Sequence, residues 1–340
     1  MTSRERTFLA LDHHEPDRVP IDLWMSAGMK ERMRAHTGGS IDELLDAHGV
    51  DLRFIEGPTY IGPPLERFPD GSTADLWGVR RRAVHVPAGA GAEHYQEVSH
   101  SPLARADSPE EIDGYGGWPS PDWFDYSPIE AQCDAVRERG LVVVFMGDRL
   151  NRLAQLKPAM YLRGIEQIML DLALRADLAR AVFAGIRRFY RAYAERIFDA
   201  ARGKIDIVMT GDDFGSQAAP LLSPAMWTEF LGEGFAEYTG IVHAHGARVM
   251  HHTCGSVRPI IPLMIERGLD VLQSLQPEAA DMDARALKAE FGERLAFHGG
   301  ISVQRTMPFG TPEDVRREVR DRIEAVAPGG GYILCTSHNI

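Results

Sequence analysis

The densest chemistry in this sequence is the run His251-His252-Thr253-Cys254-Gly255. On an extended segment, residues two apart face the same side, so the His252 imidazole and the Cys254 thiol converge. Cys335 follows far along the chain, at another predicted strand end. Imidazole plus two thiolates is a usual zinc shell, and three protein ligands leave a fourth position for substrate. The same residue types also admit two unconnected core cysteines or a redox thiol. Two thiolates would cancel the formal charge of zinc. A substrate sulfur bound there is deprotonated yet stays electron-rich, and so remains a good nucleophile. Hydrolytic zinc sites lean on His and carboxylate ligands, which keep the ion positive enough to acidify water. His252, Cys254 and Cys335 therefore point to alkyl transfer onto sulfur more than to hydrolysis. Alcohol dehydrogenases share this ligand set but need a dinucleotide fingerprint. Gly299-Gly300 and Gly329-Gly330-Gly331 do not fit one.

Positioning such residues is a task for strands. Eight short β-rich runs occur: Val19–Trp24, Val50–Glu56, Leu141–Met146, Ile205–Thr210, Arg248–His252, Val271–Leu275, Leu295–His298 and Gly331–Thr336. Helical patterns separate most of them, as at Ile165–Arg175, Asp177–Ala201, Pro224–His245 and Thr311–Ala327. Asp177 and Ser223 have the chemistry of N-caps, the latter followed by Pro224 at the first helical position. Alternation of this kind predicts an α/β fold with parallel strands, and eight strands predict a (β/α)8 TIM barrel. Residues 57–102 break the rhythm and read as a β-hairpin inserted after the second strand, with a turn at Pro87–Gly91. No linker, repeat or charge block marks a second domain, so residues 1–340 read as one barrel domain. Only four residues follow the eighth strand, so the closing helix is expected to be short, absent or outside this sequence.

In a barrel, chemistry sits where strands end and βα loops begin. Those positions hold Asp22, Trp24, Glu56, Asp148, Asp212, Asp213, His252, Cys254, Gln276, Glu278, His298, Cys335 and His338. Asp212 and Asp213 are adjacent on one loop, so only one is expected to face a pocket; an Asp capping the following turn is the plainer alternative. Asp212, Glu278 and His298 are candidates to position a small molecule during catalysis. Trp24, Asp148, Asp213 and Gln276 are candidates for substrate binding. Asp148 carries the same capping ambiguity, and His298 could equally be a satisfied core histidine. Cys133, in a helical run away from strand ends, reads as a small core residue.

The bulk properties limit the partners. The chain has 340 residues, 44% hydrophobic and 25% charged, with a formal net charge of −12. That charge argues against nucleic acid or an anionic membrane as the main partner. No apolar run approaches the roughly 20 residues of a membrane span, and the N-terminus does not begin as a signal peptide, so the expected address is the cytoplasm. Three cysteines cannot build a disulfide framework. Assembly as a homo-oligomer is left open.

Several motifs carry a family resemblance over nearly the whole chain: Asp17-Arg18-Val19-Pro20, Asp75-Leu76-Trp77-Gly78, Pro102-Leu103, Gly211-Asp212-Asp213, Leu222-Ser223-Pro224, His252-Thr253-Cys254-Gly255, Gly299-Gly300-Ile301 and Gly331-Tyr332-Ile333-Leu334-Cys335. Together they resemble the uroporphyrinogen decarboxylase superfamily, a (β/α)8 barrel. The H-x-C…C pattern is similar to its zinc-dependent branch, the methylcobamide:coenzyme M and related corrinoid methyltransferases. That resemblance implies that His252, Cys254 and Cys335 bind Zn²⁺, which binds a small thiol or a methylated small molecule. It also implies a corrinoid as methyl carrier. The chain lacks the Asp-x-His-x-x-Gly motif that holds cobalamin, so a corrinoid-binding partner protein is expected to supply it. His338 resembles a histidine near the carboxyl end of the decarboxylases. True decarboxylases carry an Arg-Gln-Ala-Gly-Arg segment after the first strand, where this chain reads Met25-Ser26-Ala27-Gly28-Met29. A metal-free tetrapyrrole decarboxylase is the alternative, and a non-catalytic small-molecule binding barrel is a third reading.

Overall fold

Runs of branched apolar residues too short to be helices become the strands, and the longer amphipathic stretches between them return the chain to the same edge. The computed structural model describes residues 1–88, 91–147 and 152–340, without the side chains of residues 85–95. Seven strands pair in chain order as one parallel sheet. They are β1 (Leu52–Ile55), β2 (Val142–Phe145), β3 (Ile207–Gly211), β4 (Arg248–His252), β5 (Val271–Leu275), β6 (Ala296–Ile301) and β7 (Tyr332–Thr336).

The count corrects the expectation of eight. Val19–Trp24 forms no strand and contributes one parallel bridge, between Ile21 and Leu334. Pro20 has no N–H to give, and the Ile21 N–H is taken by the Asp51 carboxylate at 2.7 Å rather than by a strand. The segment still links the two sheet edges. Leu334 donates to the Pro20 carbonyl, Asp22 donates to the Leu334 carbonyl, and Asp51 donates to the Ile21 carbonyl. The result is a TIM-like curled parallel sheet whose eighth position is an irregular, side-chain-pinned segment.

Two apolar layers follow from strand alternation. Leu52, Val142, Val144, Ile207, Met209, Met250, Val271, Ala296 and Ile333 form one cluster, which fills the inside of the curl. Their outward neighbours Val143, Phe145, Val208, Val249, Leu272 and Phe297 pack under the helices. One step further along the inward face stand Gly211, His252, Gln273, His298 and Cys335. The inside therefore changes from apolar to polar toward the carboxyl ends.

The helices differ from expectation in detail. Helix Ala176–Ala201 starts one residue before Asp177, which lies in its first turn instead of capping it. The stretch predicted as one helix from Pro224 to His245 divides into Pro224–Phe230 and Gly232–Ala244; the Ser223 hydroxyl does accept from the Met226 N–H at 3.2 Å. Cys133 is buried in helix Ile129–Arg137. Within residues 57–102, Arg80–Ala88 and Gly91–His100 pair antiparallel, with Thr73–Ala74 beside them. Residues 89–90, the centre of the predicted turn, lie outside the described residues. Among the described residues no helix is long and apolar enough to cross a membrane.

Candidate metal centre

The inward parity of β4 carries Met250 into the apolar layer and His252 into the polar one, while His251 turns outward. There His251 bonds Thr210 through Nδ1 at 2.8 Å and stacks on Phe214. Gln273 pairs with His252 across the sheet, and its side-chain Oε1 takes the Nδ1 proton of His252. An amide oxygen only accepts, so in the neutral ring the lone pair lies on Nε2. That nitrogen stands 3.5 Å from Cys254 Sγ and 3.5 Å from Asp213 Oδ1. Gln276 fixes the Cys254 loop, its Oε1 accepting from the Gly255 N–H at 2.8 Å.

Asp212 and Asp213 divide as adjacent residues must. Asp212 is fully buried and accepts the N–H groups of Gln155 (2.6 Å), Leu156 (3.1 Å) and Lys157 (2.6 Å) at the start of helix Leu156–Arg163. Burial pushes its carboxyl up to about 6 against those bonds. It caps that helix, the plainer of the two expected roles, and Asp213 rather than Asp212 is among the residues that line the cavity. The Asp213 Oδ2 pairs with Lys157 Nζ at 2.5 Å, and its Oδ1 accepts from the Cys254 N–H at 3.1 Å. Burial works to raise the Asp213 carboxyl, but His252 and Lys157 outweigh it and hold the group well below the usual carboxylate range. Burial pulls the His252 imidazolium down to about 3. Burial, with Asp213 adding to it, pushes the Cys254 thiol up to about 12.

The cavity above these groups has a volume of about 390 Å³ and is walled by Trp24, Arg152, Lys157, Asp213, His252 and His338, among others. Trp24 lies 5.6 Å from the His252 ring and 5.1 Å from the His338 ring, centroid to centroid. The chain's tail fixes this wall: Ile340 donates to the Trp24 carbonyl and Ser26 donates to the Ile340 carbonyl. His338 accepts the Asn339 N–H on Nδ1 at 2.9 Å, so the proton of its neutral ring sits on Nε2.

Donor atoms gather in two groups, each with its members within 4.8 Å of one another: His252, Cys254 and His338 in one, Asp22, His298 and Cys335 in the other. Cys335, expected beside His252 and Cys254, is thus grouped with His298, whose Nε2 lies 2.9 Å from Asp22 Oδ2. Glu278 is bonded by the Ser302 hydroxyl and is no part of the cavity wall. Asp148 lies outside the described residues. Sequence reasoning missed Arg152, Lys157 and Gln273. Only Gln273 left a signal, as an amide inside a fully buried strand.

A search of curated proteins found no match. Among solved structures, a methyltransferase from Methanosarcina mazei is similar with a TM-score of 0.67 at 17% identity, covering 100% of this chain and 94% of the other. That likeness is one of fold. A 3-keto-D-glucoside 4-epimerase from E. coli is more distant, with a TM-score of 0.38 and 11% identity over 63% of this chain and 78% of that one. So is a D-psicose 3-epimerase from Clostridium cellulolyticum, with a TM-score of 0.38 and 10% identity over 67% and 73%. The uroporphyrinogen decarboxylase (URO-D) profile matches residues 154–340, over half of the sequence and the part that carries β3 to β7. With the TIM-like curled sheet and its polar mouth in place, that match settles the family: the chain belongs to the uroporphyrinogen decarboxylase family.

Proposed function

We propose that this protein is a zinc-dependent methyltransferase, moving a methyl group between a corrinoid carried by a partner protein and a small thiol or methylated small molecule. The observation that carries the proposal is a pair of distances. Zinc–nitrogen bonds of about 2.0–2.1 Å and zinc–sulfur bonds of about 2.3 Å, at a tetrahedral angle, set a nitrogen–sulfur edge of about 3.5 Å. His252 Nε2 and Cys254 Sγ are 3.5 Å apart, and Asp213 Oδ1 lies at the same distance from that nitrogen. The donor set therefore fits such an ion. His252 and Cys254 would hold it, with Asp213 beside them and Cys335 as the third ligand that the family resemblance implies.

When bound, zinc is a Lewis acid that favours the thiolate of a substrate thiol or polarises a methylated heteroatom. Two thiolates cancel its charge, which keeps a bound sulfur nucleophilic. Gln273 holds His252 in the ligand tautomer, as second-shell partners of metal-binding histidines do. Lys157 anchors the far oxygen of Asp213 and so aims the near one. Trp24 offers an apolar wall to a methyl group, and the Nε2–H of His338 can donate a hydrogen bond to the substrate heteroatom. The cavity is at the small end of ligand sites, which suits a small acceptor better than a tetrapyrrole with eight carboxylates.

The reaction is read in the corrinoid absorbance. Purified protein is mixed with methylcobalamin and a panel of thiols, and separately with cob(I)alamin and methylated thiols, ethers and amines. Demethylation by at least one thiol, or methylation from at least one donor, is expected. Silence on both sides contradicts the reading.

A further inference from the structure

We infer that His298 is the positioning residue of Cys335: held by Asp22 on one side, its ring hydrogen-bonds the Cys335 sulfur on the other and aims it at the ion; this rests on the proposed function, in which Cys335 joins His252 and Cys254 as a zinc ligand.

Three strands set the ring in place. His252, Gln273 and His298 are register partners across β4, β5 and β6, so they stand in one row on the inward face. On β7, His298 pairs with Ile333, and Cys335 follows two residues nearer the mouth on the same face. The donor atoms of Asp22, His298 and Cys335 lie within 4.8 Å of one another.

Asp22 reaches this row from the irregular eighth position. Its backbone N–H is given to the carbonyl of Leu334, the residue before Cys335, so carboxylate and sulfur hang from one stretch of β7. Both carboxylate oxygens are used: Oδ1 accepts from the Leu23 N–H at 2.8 Å, and Oδ2 lies 2.9 Å from His298 Nε2. A carboxylate only accepts, so Nε2 carries a proton, and the ring's hydrogen bond with Cys335 falls to Nδ1. A thiolate likewise only accepts. Against a metal-bound sulfur the imidazole therefore donates twice, and Asp22 balances its charge. All three side chains are buried, at 4%, 1% and 3% exposure, where solvent does not compete for these bonds. The Thr336 hydroxyl, 3.8 Å from the sulfur, is a longer and weaker hold. The arrangement repeats the one at His252, where Gln273 plays the orienting part. Partners of this kind fix a ligand's direction, and a hydrogen bond to sulfur lowers the energy of its lone pairs.

Cobalt titration tests this, because thiolate-to-Co²⁺ charge-transfer absorbance reports each sulfur without any assay of activity. Metal-depleted full-length protein, His298→Gln, His298→Asn, Cys335→Ala and the double variant Cys335→Ala with His298→Gln are titrated, with circular dichroism melts confirming that each is folded. Gln places its amide N–H where Nε2 stood and keeps the Asp22 bond; Asn places its own where Nδ1 stood and keeps the bond to sulfur. His298→Gln is expected to weaken Co²⁺ by about 10- to 100-fold and to move the band to longer wavelength, and His298→Asn to restore the band position. Without Cys335, adding His298→Gln should change affinity by less than about twofold. A wild-type band and affinity in His298→Gln, or an equal loss with and without Cys335, overturns the positioning role and leaves the proposed function standing. Full charge-transfer intensity in Cys335→Ala overturns it as well, because the sulfur would then be off the ion. No Co²⁺ bound by the wild type overturns both.

Discussion

His252 and Cys254 present opposite protonation problems to a metal ion. The imidazole is neutral across the working range, because burial pulls it down to about 3, whereas the thiol is pushed up to about 12 and keeps its proton. Binding by these two side chains must therefore displace one proton, from Cys254, and none from His252. Apparent zinc affinity should rise about tenfold per pH unit between pH 6 and 9; measured by competition with a chelator in Cys335→Ser, a slope near zero or near two contradicts this assignment. The orientation of His252 rests on Gln273. Gln273→Leu should weaken zinc by about 10- to 100-fold with the fold intact, and unchanged affinity would show that the Gln273 contact does not orient the ligand. At this scale the sequence was only partly legible. The i, i+2 spacing of His252 and Cys254 announces a shared face, but nothing local says which of Asp212 and Asp213 turns inward. That depends on where helix Leu156–Arg163 begins, since its free N–H groups claim the Asp212 carboxylate.

The strands of the sheet were read closely: β4 and β5 have the bounds expected, and the other five differ by one to three residues at an end. Val19–Trp24 was misread because its hydrophobicity is strand-like while its hydrogen bonds go elsewhere. Asp51 is the reason. It is fully buried and takes Arg6 at 2.8 Å, Arg18 at 2.7 Å and the Ile21 N–H at 2.7 Å, pairings between residues far apart in sequence that no window reveals. Removing one partner of a buried ion pair leaves the others uncompensated, so Asp51→Ala should lower stability by about 3–5 kcal/mol in urea unfolding. A loss under about 1 kcal/mol would mean that the seam between the sheet edges does not depend on this residue. Helix Leu156–Arg163 offers a parallel case: Asp212→Ala leaves three N–H groups without their acceptor and should cost about 3 kcal/mol, measured the same way. It should also disturb Lys157 and, through it, Asp213.

For the molecule as a whole, the sheet sorts residues by height. Apolar side chains fill the lower inside of the curl, and the carboxyl ends raise His252, Gln273, His298 and Cys335 into one polar layer at its mouth. The tail from His338 to Ile340 then closes over Trp24, so the last residues of the chain wall a site whose ligands lie near residue 250. That architecture was visible in the alternation of strands and helices; the grouping of Cys335 with Asp22 and His298 was not, because it depends on the curvature of the sheet. What the account stands on is an ion shared by His252 and Cys254. Anomalous scattering from zinc-loaded crystals, recorded on both sides of the zinc absorption edge, tests it most directly. The account predicts a peak about 2.0–2.1 Å from His252 Nε2 and about 2.3 Å from Cys254 Sγ; a zinc-loaded crystal with no peak between those two atoms contradicts it.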